Sequence, residues 1–391
     1  MSRDPAFEAL SQLIKDNGTI SFETFMDYVL YSEHGFYSAE GRIGGSGDFF
    51  TSSSLHPIFG SFLAIQIYAM WKALQCPNPF AVIEFGSGNG LLSKSVIDTI
   101  GFFDNKFASC CEYFAIDKFH YGETQYLRKF LAGSDVPITN SKGVIFSNEL
   151  IDAFPVRLIQ VSKGQILEVF LKHSSTDTLT EVLEEPNEPL PDHICEKNLS
   201  ALEGYRGPVN VKLSEWYHQL NSILGSGFLI TIDYGFNQNE YYSMENSKKL
   251  IQTYYKHVQG SSPYQRLGRQ DITAHADFTA LETVGNKSGF SKVIQTTQRE
   301  WLFDLGFDKW VKSQAIKGQM ARSMENFINN LVDPNGLGKF KVLIQQKGLN
   351  STFNYSSIIN RQLPPKFKVP EVTKEYMAFH MLFDRMPSYF Y

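Results

Sequence analysis

Cysteine is scarce in this 391-residue chain. The four present, Cys76, Cys110, Cys111 and Cys195, form no C-x-x-C pair and no Cys/His cluster at ligand spacing, so no metal site is expected and the thiols read as reduced and mostly buried. No run of 18 apolar residues occurs, which argues against a membrane-spanning helix. Basic excess is also lacking. Lys and Arg number 36 against 41 Asp and Glu, a net charge of -5, and no nucleic-acid partner is expected of a chain without a basic balance. The opening Met1-Ser2-Arg3-Asp4-Pro5 has neither an apolar signal region nor the acid-poor character of a transit peptide, so a cytoplasmic location is the expectation. No internal repeat is visible.

What is plentiful is large rings. With 32 Phe and 19 Tyr, aromatic side chains should fill the core and line any cleft. Residues 5–16 place Phe7, Leu10, Leu13 and Ile14 on one helical face, and Ser21 stands at a capping position before a second helix reaching Tyr31. A glycine-rich loop, 41–48, precedes an apolar helix at 57–74 opened by Pro57. Then the pattern changes. Phe80-Ala81-Val82-Ile83-Glu84-Phe85 is a short, nearly all-apolar run ending in glycine, as a strand buried on both faces would be. A helix is expected over 91–100, strands at 113–117, 143–147, 227–233, 291–295 and 340–345, and a helix over 120–132. This alternation predicts an α/β fold with a doubly wound, mostly parallel sheet of Rossmann-like type. The stretches 156–212 and 236–290 break the rhythm and read as inserted substrate-binding segments. The domain organisation expected is an N-terminal helical region with the glycine-rich loop (1–75), a core with those insertions (76–350) and a C-terminal tail (351–391) with some helix near 373–384.

Three motifs carry chemistry. Gly86, Gly88 and Gly90 follow the first buried strand, where they free the turn from Cβ clashes and let backbone approach a ligand. A dinucleotide turn would need its third glycine one position later, where Leu91 stands, which argues against a nicotinamide-dependent oxidoreductase. Glu84, two positions before the first glycine, is a candidate acceptor for an ammonium group. The alternative is a tight turn with no ligand. Asp117, ending the next strand, is placed to accept from ribose hydroxyls, or to cap a helix. Ser147-Asn148-Glu149-Leu150-Ile151-Asp152 ends a third strand. Asn148 offers a donor and an acceptor, while Glu149 and Asp152, on one face if the segment is helical, can grip a cation. The alternative is an acidic first turn favoured by the helix dipole.

The chain resembles the MidA family of S-adenosyl-L-methionine (SAM)-dependent methyltransferases, which includes a mitochondrial arginine methyltransferase assisting respiratory complex I assembly. The resemblance is carried, in order, by Ile20-Ser21-Phe22 with Met26 and Tyr31, His34-Gly35-Phe36-Tyr37, Gly47-Asp48-Phe49-Phe50-Thr51-Ser52, Phe59-Gly60, Glu84 to Gly90, Asn148-Glu149 with Asp152-Ala153-Phe154-Pro155, Ile232-Asp233-Tyr234-Gly235, Asp271 to Phe278, and Thr297-Gln298. The chain departs from the family pattern at Ser53, at Asn89 in the glycine turn, and at Lys118-Phe119 after Asp117.

The resemblance implies a class I methyltransferase fold, SAM as cofactor, a protein arginine side chain as acceptor, and Asp48, Thr51 and Ser52 at the rim of the cofactor site. An arginine acceptor is charged at every physiological pH and must be held in a fixed plane, which carboxylates do through bidentate bonds. Glu149 is the first candidate for that clamp and Asp152 the second. His275 is either a base or a structural donor. A rival reading is a non-catalytic assembly factor that binds SAM and a partner through the exposed-looking tyrosines at 234–264. Homodimerisation is left open.

Overall fold

The apolar run at 80–85 forms strand β1 (Phe80–Phe85), buried along its whole length because helices cover both faces of a parallel sheet. The structure is a computed structural model and describes residues 5–38, 52–119, 128–131, 138–174, 178–195, 199–256, 258–316, 325, 328–349, 353–359, 363–364, 366–373 and 376. Six further strands complete a sheet with β1: β2 (Cys111–Asp117), β3 (Arg128–Leu131), β4 (Ser141–Asn148), β5 (Leu224–Asp233), β6 (Ser291–Thr297) and β7 (Lys341–Lys347). Their spatial order is β3-β2-β1-β4-β5-β7-β6. Neighbours from β3 to β5 run parallel, and β7 runs antiparallel to both β5 and β6. The expected doubly wound, mostly parallel sheet is therefore present. The chain winds outward from β1 through β3 and then returns to lay β4 on the other side of β1. The crevice of such a sheet opens at the carboxyl ends of the two strands flanking that reversal.

One face of this sheet packs against α1 (Ile58–Ala73) and α2 (Leu91–Ile100), with Phe62, Trp71, Phe80, Phe107, Phe146 and Trp301 in the shared core. The helices approach closely at Gly60, where a Cβ would lie 1.9 Å from Ser95 Oγ. The strands are equally tight at their start. A Cβ on Gly143 would stand 2.0 Å from the Ala81 carbonyl oxygen, and one on Gly227, at φ +146°, 1.9 Å from the Gly143 carbonyl oxygen. Backbone cannot yield there without parting the central strands. Gly143→Val is expected to destabilise the protein by about 3 kcal/mol or more, read as a loss of soluble yield or a fall in Tm.

Residues 128–131, expected to end a helix, form β3, because the edge of β2 offers its backbone groups to an extended segment. The described part of the 351–391 tail packs on the core of this sheet's unit. Phe353 packs edge-on against Phe228, the Ile358 carbonyl accepts from Gln66 Nε2, and Phe367 lies against Phe62 and Phe103.

The chain divides into two compact units. The sheet above belongs to the unit made of 43–150, 218–234 and 285–391, and the other is made of 1–42, 151–217 and 235–284. The expected 1–75 region is thus divided, and both insertions share a unit with the first helices. The reason is long-range pairing. Ile20–Ser21 adds to strand Gln165–His173, which continues through Arg157–Ser162 to Arg206–Val209. In this second unit helix Phe22–Tyr31 is capped as expected, Ser21 Oγ accepting from Thr24 N at 3.1 Å.

Residues 184–189, a run of Glu and Pro within the first insertion, are anchored there by buried Arg157. Its guanidinium pairs with Glu168 and donates to the Glu188 and Pro189 carbonyls at 3.0 and 3.2 Å, so its charge is matched and its fork filled. Tyr241 and Tyr242 are not surface residues, as expected of 234–264. They are buried with Tyr205 in this unit's core, and burial followed by the Asp277 carboxylate pushes Tyr242 well above the usual phenol range. Among the described residues no helix is long and apolar enough to cross a membrane.

Candidate active site

The glycine turn lies at the crevice that the strand order creates. Gly86, Gly88 and Gly90 all take left-handed φ values, +73°, +48° and +79°, a region in which residues with a Cβ are strained. The turn is tied to β2. Gly86 N–H donates to the Ile116 carbonyl at 2.8 Å, and Gly88 N–H to Asp117 Oδ2 at 2.8 Å. Asp117 Oδ1 accepts from Phe119 N at 3.1 Å. Asp117 therefore steadies the turn and caps the bend after β2. Gly90 is the N-cap of α2 and supplies no side-chain cap; the N–H of Leu91, the first residue of the helix, donates to Asn89 Oδ1 at 3.2 Å.

Glu84 is placed differently from a simple ammonium acceptor. It is buried, and its Oε2 accepts from Ser93 Oγ and, at 2.6 Å, from Tyr113 OH. Burial and the Glu84 charge hold the Tyr113 phenol well above its ordinary range, so it remains the donor. One carboxylate oxygen thus joins β1 to α2 and β2. No periodicity in the sequence shows this, because Tyr113 lies 29 residues away.

The end of β4 supplies the other side of the crevice. Asn148 is 8% exposed, and its Oδ1 is buried with no hydrogen-bond partner among the described residues. A buried orphan acceptor costs about 1–3 kcal/mol unless a ligand or water meets it, and it fits the donor groups of a nucleoside or amino acid. Glu149 follows at φ +51°, a left-handed conformation that costs a residue of this kind about 1–2 kcal/mol. Its backbone N–H donates to the Ile232 carbonyl at 2.9 Å. Its Oε1 accepts from Ser52 N at 2.9 Å and from Asn148 Nδ2 at 3.0 Å.

Ser52 is held in turn, its hydroxyl donating to Gln298 Oε1 at 3.1 Å while Gln298 Nε2 reaches the Leu331 carbonyl at 2.9 Å. A strained backbone and a chain of hydrogen bonds from Asn148 through Glu149 and Ser52 to Gln298 belong to a site whose geometry is over-determined. Asp48 and Thr51 lie outside the described residues.

Asp152 does not share a helical face with Glu149. The left-handed Glu149 interrupts the chain before the 3-10 turn Ile151–Ala153, and the two residues fall in different units. In its own unit Asp152 is near a pair of stacked tyrosines, Tyr31 and Tyr37, with ring centroids 5.4 Å apart. Tyr37 OH donates to buried Asp271 Oδ1 at 3.0 Å, and Tyr31 OH to the Ala153 carbonyl at 2.6 Å. Burial, then Asp271, Tyr31 and Asp152, push the Tyr37 phenol well above its usual range. His275 stacks on Phe236 at 5.3 Å and its Nδ1 lies 3.3 Å from the Leu250 carbonyl, the geometry of a structural donor.

Gln298, Tyr31, Tyr37 and Asp271 were not singled out from the sequence as site residues. Each falls in or beside a segment that carries the family resemblance, which is the one signal that reaches them.

Comparison with known proteins bears on this geometry. Residues 62–296 match the sequence profile of a family described as "Putative S-adenosyl-L-methionine-dependent methyltransferase". The chain is 25% identical over 193 residues to the mitochondrial protein arginine methyltransferase NDUFAF7 homolog of Drosophila melanogaster, a match covering 42% of this chain and 44% of that protein. The Homo sapiens protein arginine methyltransferase NDUFAF7 is 32% identical over 94 residues, 24% of this chain and 21% of its own length. The chain thus spans less than half the length of these curated relatives. A Burkholderia thailandensis protein crystallised with S-adenosyl-homocysteine superposes with a TM-score of 0.77 at 23% identity, over 89% of this chain and 93% of that one, so the fold is shared.

Proposed function

Because the chain belongs to the MidA family of SAM-dependent methyltransferases, we propose that the acceptor of its methyl group is the guanidinium of an arginine side chain in another protein. The cofactor supplies a methyl on a sulfonium, and its transfer is an in-line displacement in which alignment and electrostatics do most of the catalysis. The residues fit such a cofactor. In this reading the left-handed glycines let backbone approach the amino-acid end of the cofactor, Asp117, already bonded to Gly88 N and Phe119 N, receives ribose hydroxyls on its remaining lone pairs, and the orphan Asn148 Oδ1 accepts from a cofactor N–H or O–H group. Ser52, with Asp48 and Thr51 beside it in sequence, completes the rim in this reading.

Glu149 carries the proposal. Its backbone strain at the end of β4, next to the strand that bears the glycine turn, and the bonds holding its carboxylate fix one negative charge in place. A fixed carboxylate orients a guanidinium and draws its charge away from the attacking nitrogen. As the N–C bond forms and the S–C bond breaks, a proton must leave that nitrogen for a carboxylate or water. Asp152, grouped with Tyr37 and Asp271 in its own unit, is the second acidic candidate, and His275, whose Nδ1 lies against the Leu250 carbonyl, is the alternative base.

The relatives are named as arginine methyltransferases of mitochondria. From the family resemblance we extend the proposal to a subunit of a respiratory complex I-type dehydrogenase as acceptor, while keeping the cytoplasm as the compartment to test. The scaffold reading loses part of its support, since Tyr241 and Tyr242, two of the tyrosines it relied on, are core residues. Mass spectrometry of cell proteins with and without this chain tests the proposal. An arginine peptide lacking its 14- or 28-dalton addition (one or two methyl groups) in the deleted cells is the expected result. Loss of methylation only on another residue type would reject arginine.

A further inference from the structure

Resting on the cofactor reading above, the geometry points to Tyr376 as a positioning residue for the SAM turn, acting through Leu91. Tyr376 is 2% exposed, and its hydroxyl donates to the Leu91 carbonyl at 3.1 Å. Leu91 is the first residue of α2, directly after left-handed Gly90. Val372 packs into the same small cluster with Leu91 and Tyr376.

A turn with three left-handed glycines has much conformational freedom to lose on binding, so affinity depends on how far the protein restrains it beforehand. The strand side is restrained by β2, through the Ile116 carbonyl and Asp117. The helix side is restrained by Asn89, whose Oδ1 accepts from Leu91 N at 3.2 Å, and by Tyr376. The two hold opposite ends of the Leu91 peptide groups, one at the N–H and one at the carbonyl.

Tyr376 reaches this place because the preceding chain is fastened along the same unit. Phe353 N donates to Gln346 Oε1 at 2.7 Å, the Ile358 carbonyl accepts from Gln66, and Phe367 lies against Phe62 and Phe103. Gln66 is itself fixed, its Oε1 accepting from Trp301 Nε1 at 3.0 Å. This run of chain lies beyond residues 62–296, the part matched by the family profile. In this proposal the C-terminal segment, which the family profile does not reach, stiffens the cofactor turn from its helix side.

The test is titration calorimetry of the full chain with SAM for wild type, Tyr376→Phe and Tyr376→Ala. Tm without cofactor reports folding separately. Tyr376→Ala is expected to weaken SAM about tenfold and Tyr376→Phe, which keeps the ring packing, by about threefold. In turnover, KM for SAM should rise while kcat at saturating SAM and KM for the acceptor stay unchanged. A folded Tyr376→Ala variant binding SAM within twofold of wild type would overturn the role of Tyr376 alone. If Tyr376→Ala does not fold, Tyr376→Phe decides by the same measurement, and an unchanged Kd there overturns the proposal. A wild-type chain that bound no SAM would overturn the cofactor reading, and the role of Tyr376 with it.

Discussion

Replacing Glu149 by Gln is expected to cut methyl transfer by about 100-fold or more while SAM affinity stays close to wild type. Gln has nearly the same shape. Its amide oxygen can still accept from Ser52 N and Asn148 Nδ2, the two donors that Oε1 meets. The left-handed backbone is unaltered in cost, because Glu and Gln carry the same Cβ. What disappears is the negative charge. An interaction that counts mainly in the transition state lowers kcat without weakening ground-state binding of the cofactor. Radiolabelled methyl transfer from SAM, beside calorimetric SAM binding, reads both effects. Wild-type turnover in Glu149→Gln would remove the carboxylate from the mechanism. A parallel loss of SAM affinity would move Glu149 from acceptor to cofactor.

Gly88→Val should instead abolish cofactor binding, weakening it by about 100-fold or more. Gly88 sits at φ +48° with its N–H on Asp117. A β-branched residue is strongly disfavoured there, so the turn must change conformation, give up the Asp117 bond, or both. Either outcome spoils the approach of backbone to ligand that the three glycines permit. The sheet below the turn is held independently by the β1–β2 and β1–β4 ladders, so the variant should fold with a modest fall in Tm. Unchanged SAM affinity in folded Gly88→Val would show that the turn is not the cofactor site.

Much of the sheet that carries the glycine turn was legible in advance. Strand β1 and helix α2 fall where the sequence places them, because a strand buried on both faces leaves a continuous apolar run and a glycine turn marks its end. The partners of Glu84 and Glu149 were not legible. Tyr113 is 29 residues from Glu84, and Ser52 is 97 residues from Glu149, separations over which helix and strand periods carry no information. The error at 128–131 has a related cause. Arg128-Lys129-Phe130-Leu131 has no decisive period of its own, and pairing with the edge of β2 settled it as a strand.

The sequence by itself determined the local elements: the buried apolar strands, the capped helices, and a turn whose three glycines accept dihedral angles that cost other residues energy. Only the tertiary structure decided which distant segments meet. It joined residues 1–42 with 151–217 and 235–284, bent Glu149 into the left-handed region, turned the Glu84 carboxylate toward Ser93 and Tyr113, and brought Tyr376 to Leu91. The physical reason is the range of the forces. Backbone dihedral preferences and side-chain periodicity act over a few residues, whereas burial and hydrogen-bond satisfaction are settled across the whole packed chain.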